Sequence, residues 1–274
     1  MNICNVSIIV SFRINQAIYL RVPPLPRLFR SCAALGRFRC CALGGLPIAP
    51  NNFLRFFILF SYSWRMMKVI KLHATMHGSG GADAMNVHEV FTQFPVLHTE
   101  RLTLRQMRPA DAEALFEFYS DEQLTRFLDW NGPVSREQAQ ELIAAWNRQF
   151  TEMRLCPWGI TLNEEDRLIG SIMYMPVRGT FADEPLFPVT VGFELARSYW
   201  SKGLMSEALR AVLAFGREKL HVHRVQAEVL PENKASLHLL EKCGFRQEGM
   251  LKQYLLHEVS RVFMDVIILA LLTS

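Results

Sequence analysis

The chain has 274 residues, half of them hydrophobic and a fifth charged, which allows a sizeable core and excludes a wholly disordered protein. The formal net charge of +4 hides a break: residues 1–84 carry ten Lys or Arg against one acid, Asp83, whereas residues 85–274 carry twenty basic against twenty-five acidic residues. The second balance is that of an ordinary enzyme and excludes direct nucleic-acid binding from the leading readings.

Composition therefore divides the chain into an extension, 1–84, and a domain, 85–274. In the extension, Phe53–Phe60 is apolar but short and holds Arg55, and Asn2–Leu20 is interrupted by Arg13. Neither reaches the roughly 20 apolar residues of a spanning helix. Three readings stay open: translation starting near Met76 or Met85, an Arg-rich transit peptide, or a peripheral membrane anchor. The first is favoured, because no apolar face repeats and no cleavage signature stands out. With no secretory signal pattern, a cytoplasmic protein without a transmembrane segment is expected. Cys4, Cys32, Cys40 and Cys41 lie in the extension, and Cys156 and Cys243 are isolated. No C-x-x-C or His-rich spacing suggests a metal, so the latter two read as buried, reduced thiols.

Leu102–Met107 alternates as a half-buried strand, and Pro109–Ser120 follows at helical spacing. Ser135 and Gln138 form an S-x-x-Q capping box before a helix with Ile143, Trp146 and Phe150 on its apolar face. Trp158–Leu162 and Leu168–Met175 read as a hairpin across the polar turn Asn163–Asp166. Thr190–Leu195 is a strand, Leu204–Leu220 an amphipathic helix, Val225–Leu230 a strand, and Lys234–Cys243 a helix stopped by Gly244. Two strands, Gly249–Leu256 and Val262–Leu272, close the chain. The order β-α-α-β-β-β-α-β-α-β-β predicts an α+β domain with a mixed sheet, not a doubly wound dinucleotide fold.

Two stretches carry chemistry. Tyr199–Ala208, YWSKGLMSEA, sits between a strand and a helix start. Unpaired amides there, a permissive glycine, the Lys202 charge and the Ser206 hydroxyl suit a pyrophosphate. A glycine loop that merely caps a helix is the plainer alternative. Val229–Gly249 contains Asn233, which suits an N-cap whether or not a ligand is near, and Ser236 at the third helical position.

Together these stretches resemble the GNAT acetyltransferases. The acetyl-CoA loop of that family, R/Q-x-x-G-x-G/A, aligns with Trp200, Ser201, Lys202, Gly203, Leu204 and Met205. Trp200 and Met205 depart from it as in the RimJ/RimL branch, which typically reads Y-W-G-K-G-L-M-x-E-A-L, so that Ser201 replaces a glycine. The branch pattern P-x-N-x-x-S-x-x-L-L-E-K-x-G-F is matched from Pro231 to Phe245. Thr99–Arg105 and Phe263-x-Asp265-x-Ile267 fit its start and end, so the resemblance spans about Val96 to Leu272.

The resemblance implies the GNAT fold and direct transfer of acetyl from acetyl-CoA to a primary amine in a ternary complex. It implies that a splayed strand over Thr190–Leu195 holds the pantetheine arm through backbone groups, including those of Phe193 and Leu195. Amides from Lys202 to Ser206 would hold the pyrophosphate, with Trp200, Ser201, Asn233 and Ser236 completing the cofactor site. Glu228 is the first candidate base and Glu194 the second; a solvated strand-edge carboxylate is the alternative for each. A tyrosine acid common in the family corresponds to Leu240, which cannot donate, and Ser236 is the replacement. Cys243 reads as packing, not as a nucleophile. The acceptor expected is a protein N-terminus of the ribosomal-protein type. A small amine such as an antibiotic, polyamine or amino acid is the second reading, and a non-catalytic acyl-CoA-binding module the third. No metal is expected, and the protein should be a monomer or dimer.

Overall fold

A computed structural model describes residues 87–273. The expected extension, including its apolar runs and the three readings of its origin, lies outside the described residues.

A short helix, α1 (Val87–Val90), precedes β1 (Leu97–His98) and β2 (Leu102–Gln106). After a 3-10 turn at Pro109–Asp111 come α2 (Ala112–Tyr119), α3 (Glu122–Thr125) and α4 (Arg136–Thr151). The hairpin β3 (Cys156–Leu162) and β4 (Glu165–Pro176) leads to β5 (Val189–Leu195) and then α5 (Leu204–Lys219). Next are β6 (Arg224–Val229), α6 (Lys234–Lys242), β7 (Arg246–Leu256) and β8 (Phe263–Leu272). The expected order is present, with α1, β1 and α3 added; each is too short to show a period.

The eight described strands form one mixed sheet in the order β1-β2-β3-β4-β5-β6-β8-β7, antiparallel except for β5 and β6. The parallel pair is brief. Val189 lies opposite Val225 and Thr190 opposite Gln226, and no pairing follows. Beyond Thr190 the two strands part, although β5 stays paired with β4 to Leu195 and β6 with β8 to Val229. The sheet therefore has an internal splay at its centre.

Alternation assigns the faces. Tyr174 packs against Gly216, and Trp158 sits edge-on to Phe215, so α5 covers one face. Val191, Phe193 and Leu195 of β5 share that face and are buried. Thr190, Gly192 and Glu194 point to the other face, as do Gln226 and Glu228 of β6. That second face is covered by α2 and α4.

Local signals act as expected in most places. Ser135 caps α4 by accepting from the Gln138 amide at 3.3 Å. Gln138 reaches one residue further back than a capping box requires, taking the Val134 amide at 3.0 Å. Gly244 ends α6 at φ +95°. Buried Arg105 forms a bidentate pair with Asp111 at 2.8 Å and also donates to Asp166, tying β2 to the start of β4.

Candidate active site

The splay and the start of α5 lie at the same end of β5. Five residues separate Leu195 from Ser201, and they fold as a 3-10 turn over Arg197–Tyr199. The Trp200 side chain turns into the core, and its indole N–H donates to the Leu195 carbonyl. This bond pins the loop to the end of the splayed strand. Leu204 and Met205 are also buried, so the part of Trp200–Ser206 offered outward is mainly backbone.

Ser201 has φ +61° and Gly203 φ +78°, with Lys202 between them. Left-handed residues alternating in this way turn successive N–H groups into a concavity that suits an anion. The amides of Ser201, Lys202 and Gly203 make no backbone hydrogen bond within the described residues. Those of Leu204, Met205 and Ser206 open α5 and lack partners one turn earlier. Gly203 is the N-cap and has no side chain with which to cap them. The Lys202 ammonium stands 5.3 Å from the centre of the Tyr199 ring.

The cradle is braced from the turn between β1 and β2. Arg101 donates from Nε to Glu207 Oε2 at 2.7 Å and from Nη1 to the Lys202 carbonyl at 3.0 Å. Glu207 Oε1 accepts the Arg101 amide at 2.9 Å and the Thr99 hydroxyl at 2.6 Å. Burial opposes ionisation of Glu207, but these hydrogen bonds and the Arg101 charge outweigh it and hold the carboxyl below its usual range. The T-E-R-L segment and the Y-W-S-K-G-L-M-S-E segment are thus two halves of one structure.

Across the splay, on the α2/α4 face, the acidic groups gather. Glu194 is 2 % exposed and accepts from the Ser171 hydroxyl at 2.7 Å, its register partner on β4. Burial raises it to about 7; Ser171 and the Tyr119 phenol offset part of that, and the Asp129 charge adds to it. The Tyr119 phenol is pushed far up by burial and then by the Glu194 charge. Asp129 is also raised to about 7, by burial first, then by the charges of Glu258 and Glu228. Glu228 is half-buried on β6, on the same face as Glu194. Perturbed carboxylates beside a cleft are where proton chemistry is found. Both candidate bases from the sequence therefore flank the splay, and neither is a fully solvated strand-edge carboxylate.

Ser236 and Asn233 are both buried at the start of α6, where Asn233 Oδ1 accepts the Ser236 amide at 3.2 Å. Leu240 is fully buried. Burial raises the thiols of Cys156 and Cys243, which makes them packing groups. No group of three or more His, Cys, Asp or Glu placed to hold a metal ion occurs among the described residues, and no described helix is long and apolar enough to cross a membrane.

Two groups in the cluster escaped sequence reasoning. Tyr119 belongs to the apolar stripe of α2, where an aromatic residue usually means core. Asp129 sits in a loop, where an acid usually means solvent. Its signal is its setting, an acid within Phe127-Leu128-Asp129-Trp130.

Comparison with known proteins agrees with this geometry. Residues 101–246 match the acetyltransferase (GNAT) domain family. The chain is 35% identical over 162 residues to the uncharacterized N-acetyltransferase YoaA of Bacillus subtilis, covering 59% of this chain and 89% of that one. It is 30% identical over 168 residues to the [ribosomal protein uS5]-alanine N-acetyltransferase of Escherichia coli, covering 58% and 82%. Among solved structures, Mycobacterium smegmatis RimJ in complex with CoA-disulfide aligns with a TM-score of 0.53 at 25% identity, covering 62% of this chain and 81% of that one. The splayed sheet, the amide cradle and these matches establish that the chain belongs to the GNAT family and is an N-acetyltransferase of the RimJ/RimL type.

Proposed function

We propose that this protein transfers acetyl directly from acetyl-CoA to the α-amine of a protein N-terminus of the ribosomal-protein kind, acting in the cytoplasm. The observation that carries the reading is the amide cradle of Ser201–Ser206 at the mouth of the β5–β6 splay, with ionisable carboxyls on one face of that splay. Its anion-binding form fits a pyrophosphate. The gap between strands leaves backbone groups of β5, including those of Phe193 and Leu195, to hold an extended pantetheine arm. Similarity to a uS5-alanine acetyltransferase and to a RimJ structure with CoA bound supports both co-substrate and acceptor.

Attack requires a neutral amine. Glu194 takes the proton of the incoming ammonium, because burial brings it to about 7, where it can both accept and release a proton near neutrality. This favours Glu194 over Glu228, the first choice on sequence alone. The amine lone pair then bonds to the thioester carbon, the C–S bond breaks, and the second amine proton reaches the thiolate, with the Ser236 hydroxyl as its relay. The test is mass spectrometry of N-terminal peptides from cells with and without the protein. The expected result is loss of acetylation from a small set of N-termini. An unchanged N-terminal set, with turnover of spermidine or an aminoglycoside by the purified protein, would move the acceptor to small amines.

A further inference from the structure

Asp129 has no place in the motifs above, yet it is built into the site. It is 4 % exposed, and its Oδ1 is buried with no hydrogen-bond partner among the described residues. Its charge acts on Glu194 and Tyr119 across the splay, and the charges of Glu228 and Glu258 act on it. Among the described residues, these four are the titratable groups whose electrostatics couple to it, from β5, α2, β6 and the β7–β8 turn. No cation lies among them.

The position is held on both sides. The Asp129 carbonyl accepts the Glu258 amide at 2.7 Å, fastening the α3–α4 loop to the β7–β8 turn. Two residues earlier, Phe127 packs with Leu230, Leu255 and Val266 in a small apolar cluster separate from the main core. Leu230 directly follows β6, so this cluster sets the loop above the end of the splay. A buried acid held in place with one carboxylate oxygen left unbonded costs stability unless something else compensates it.

We propose that Asp129 is the counter-ion for the acceptor: its free carboxylate oxygen receives the cationic primary amine beside Glu194. This rests on the N-acetyltransferase reading above and adds the group that captures the ammonium before deprotonation. The ammonium donates one N–H to Asp129 and gives up another proton to Glu194. Asp129 keeps its charge until the amine leaves as a neutral amide. The chemistry recognised is a primary ammonium, from a peptide N-terminus or a polyamine.

The probe is propylammonium, titrated calorimetrically into the full chain saturated with coenzyme A at pH 8. Asp129→Asn should weaken its binding at least about tenfold while leaving coenzyme A affinity within twofold. Asp129→Ser should do the same, and the melting temperature of each variant shows that it is folded. In turnover, Asp129→Asn should raise KM for an alanyl tetrapeptide more than it lowers kcat. Repeating the comparison with spermidine distinguishes the two sources, since the true acceptor loses more affinity. Equal propylammonium binding by wild type and variants, or none by wild type, overturns the proposal. The two readings fail separately. Amine acetylation that ignores Asp129 sinks the counter-ion alone, whereas Asp129-dependent ammonium binding without acetylation of any amine sinks the N-terminal acetylation reading alone.

Discussion

Arg101 and Glu207, 106 positions apart, join through three contacts: two from the Arg101 side chain and one from its backbone amide. The pair fixes the first turn of α5 against the turn between β1 and β2, and Arg101 also holds the Lys202 carbonyl. Its purpose is visible in what it orients, since Lys202 lies between the two left-handed residues of the cradle. Glu207→Gln should therefore raise the Kd for acetyl-CoA several-fold. Its effect on the melting temperature should be small, because Arg101 is about half exposed and such pairs contribute about 1 kcal/mol or less. Calorimetry with acetyl-CoA alongside thermal unfolding separates the two. An unchanged Kd would show that the cradle holds its shape without the brace.

Gly203 stands at φ +78°, where a β-branched residue is strained whatever space surrounds it. Gly203→Val should weaken acetyl-CoA binding at least tenfold, about 1.4 kcal/mol, in a chain that still unfolds cooperatively. Wild-type affinity in a folded variant would remove the cradle from the cofactor site.

The same reasoning gives Ser201 the opposite sign. It occupies a left-handed position, φ +61°, with a side chain that disfavours it. Glycine stands there in the branch this chain resembles. Ser201→Gly should relieve that strain and leave stability unchanged or higher by up to about 1 kcal/mol, measured by denaturant unfolding. A clear loss of stability would mean that the Ser201 side chain is needed for the loop.

Two buried carboxyls set a pH dependence. Asp129 and Glu194 lie at about 7 in the folded protein, against ordinary values of 3.8 and 4.5. The folded state thus binds these protons more tightly than the unfolded chain. Their contribution to stability is full below the ordinary values and is lost as pH rises through about 7. Melting temperature should fall between pH 5 and pH 8, and Asp129→Asn or Glu194→Gln should flatten that fall. Glu207, Asp166, Glu248 and Asp265 are shifted downward, and their contribution is lost only at more acidic pH. A fall of the same steepness in both variants would refute the assignment.

Kinetics should divide the three polar candidates. Glu194→Gln should remove the acidic limb of the pH–rate profile and lower kcat at least about tenfold, toward the roughly 10²–10⁴ typical of acid–base groups. Ser236→Ala should lower kcat at least tenfold without changing that limb. Glu228→Gln should do less than Glu194→Gln; the reverse order would place the base on β6.

Most of the fold was legible because its long elements carry their own period. α4 announces itself through Ser135 and an apolar stripe, α5 through its buried face, and β4 and β5 through runs of buried residues. The cofactor loop was legible because a helix start, a glycine and a lysine adjoin in sequence. Asp129 was not, since its burial depends on Phe127 meeting Leu230 and Leu255, more than a hundred residues later. The role of Trp200 also needed three dimensions. Sequence put it in the cofactor loop, and the structure shows its indole bonded to the end of β5. The choice between Glu194 and Glu228 turns on solvent access, which alternation along two strands cannot rank.

The parting of β5 and β6 also has a mechanical side. Among the described residues, two pairs, Val189 with Val225 and Thr190 with Gln226, are all the strand pairing between one half of the sheet, β1 to β5, and the other, β6, β8 and β7. A molecule lying in the gap and bonding to both edges takes the place of the missing ladder. Its binding then adds to the resistance of the domain to unfolding, by about 2.7 kcal/mol at a free concentration one hundred times its Kd. The thermal resistance of such a protein therefore rises and falls with the supply of its own ligand.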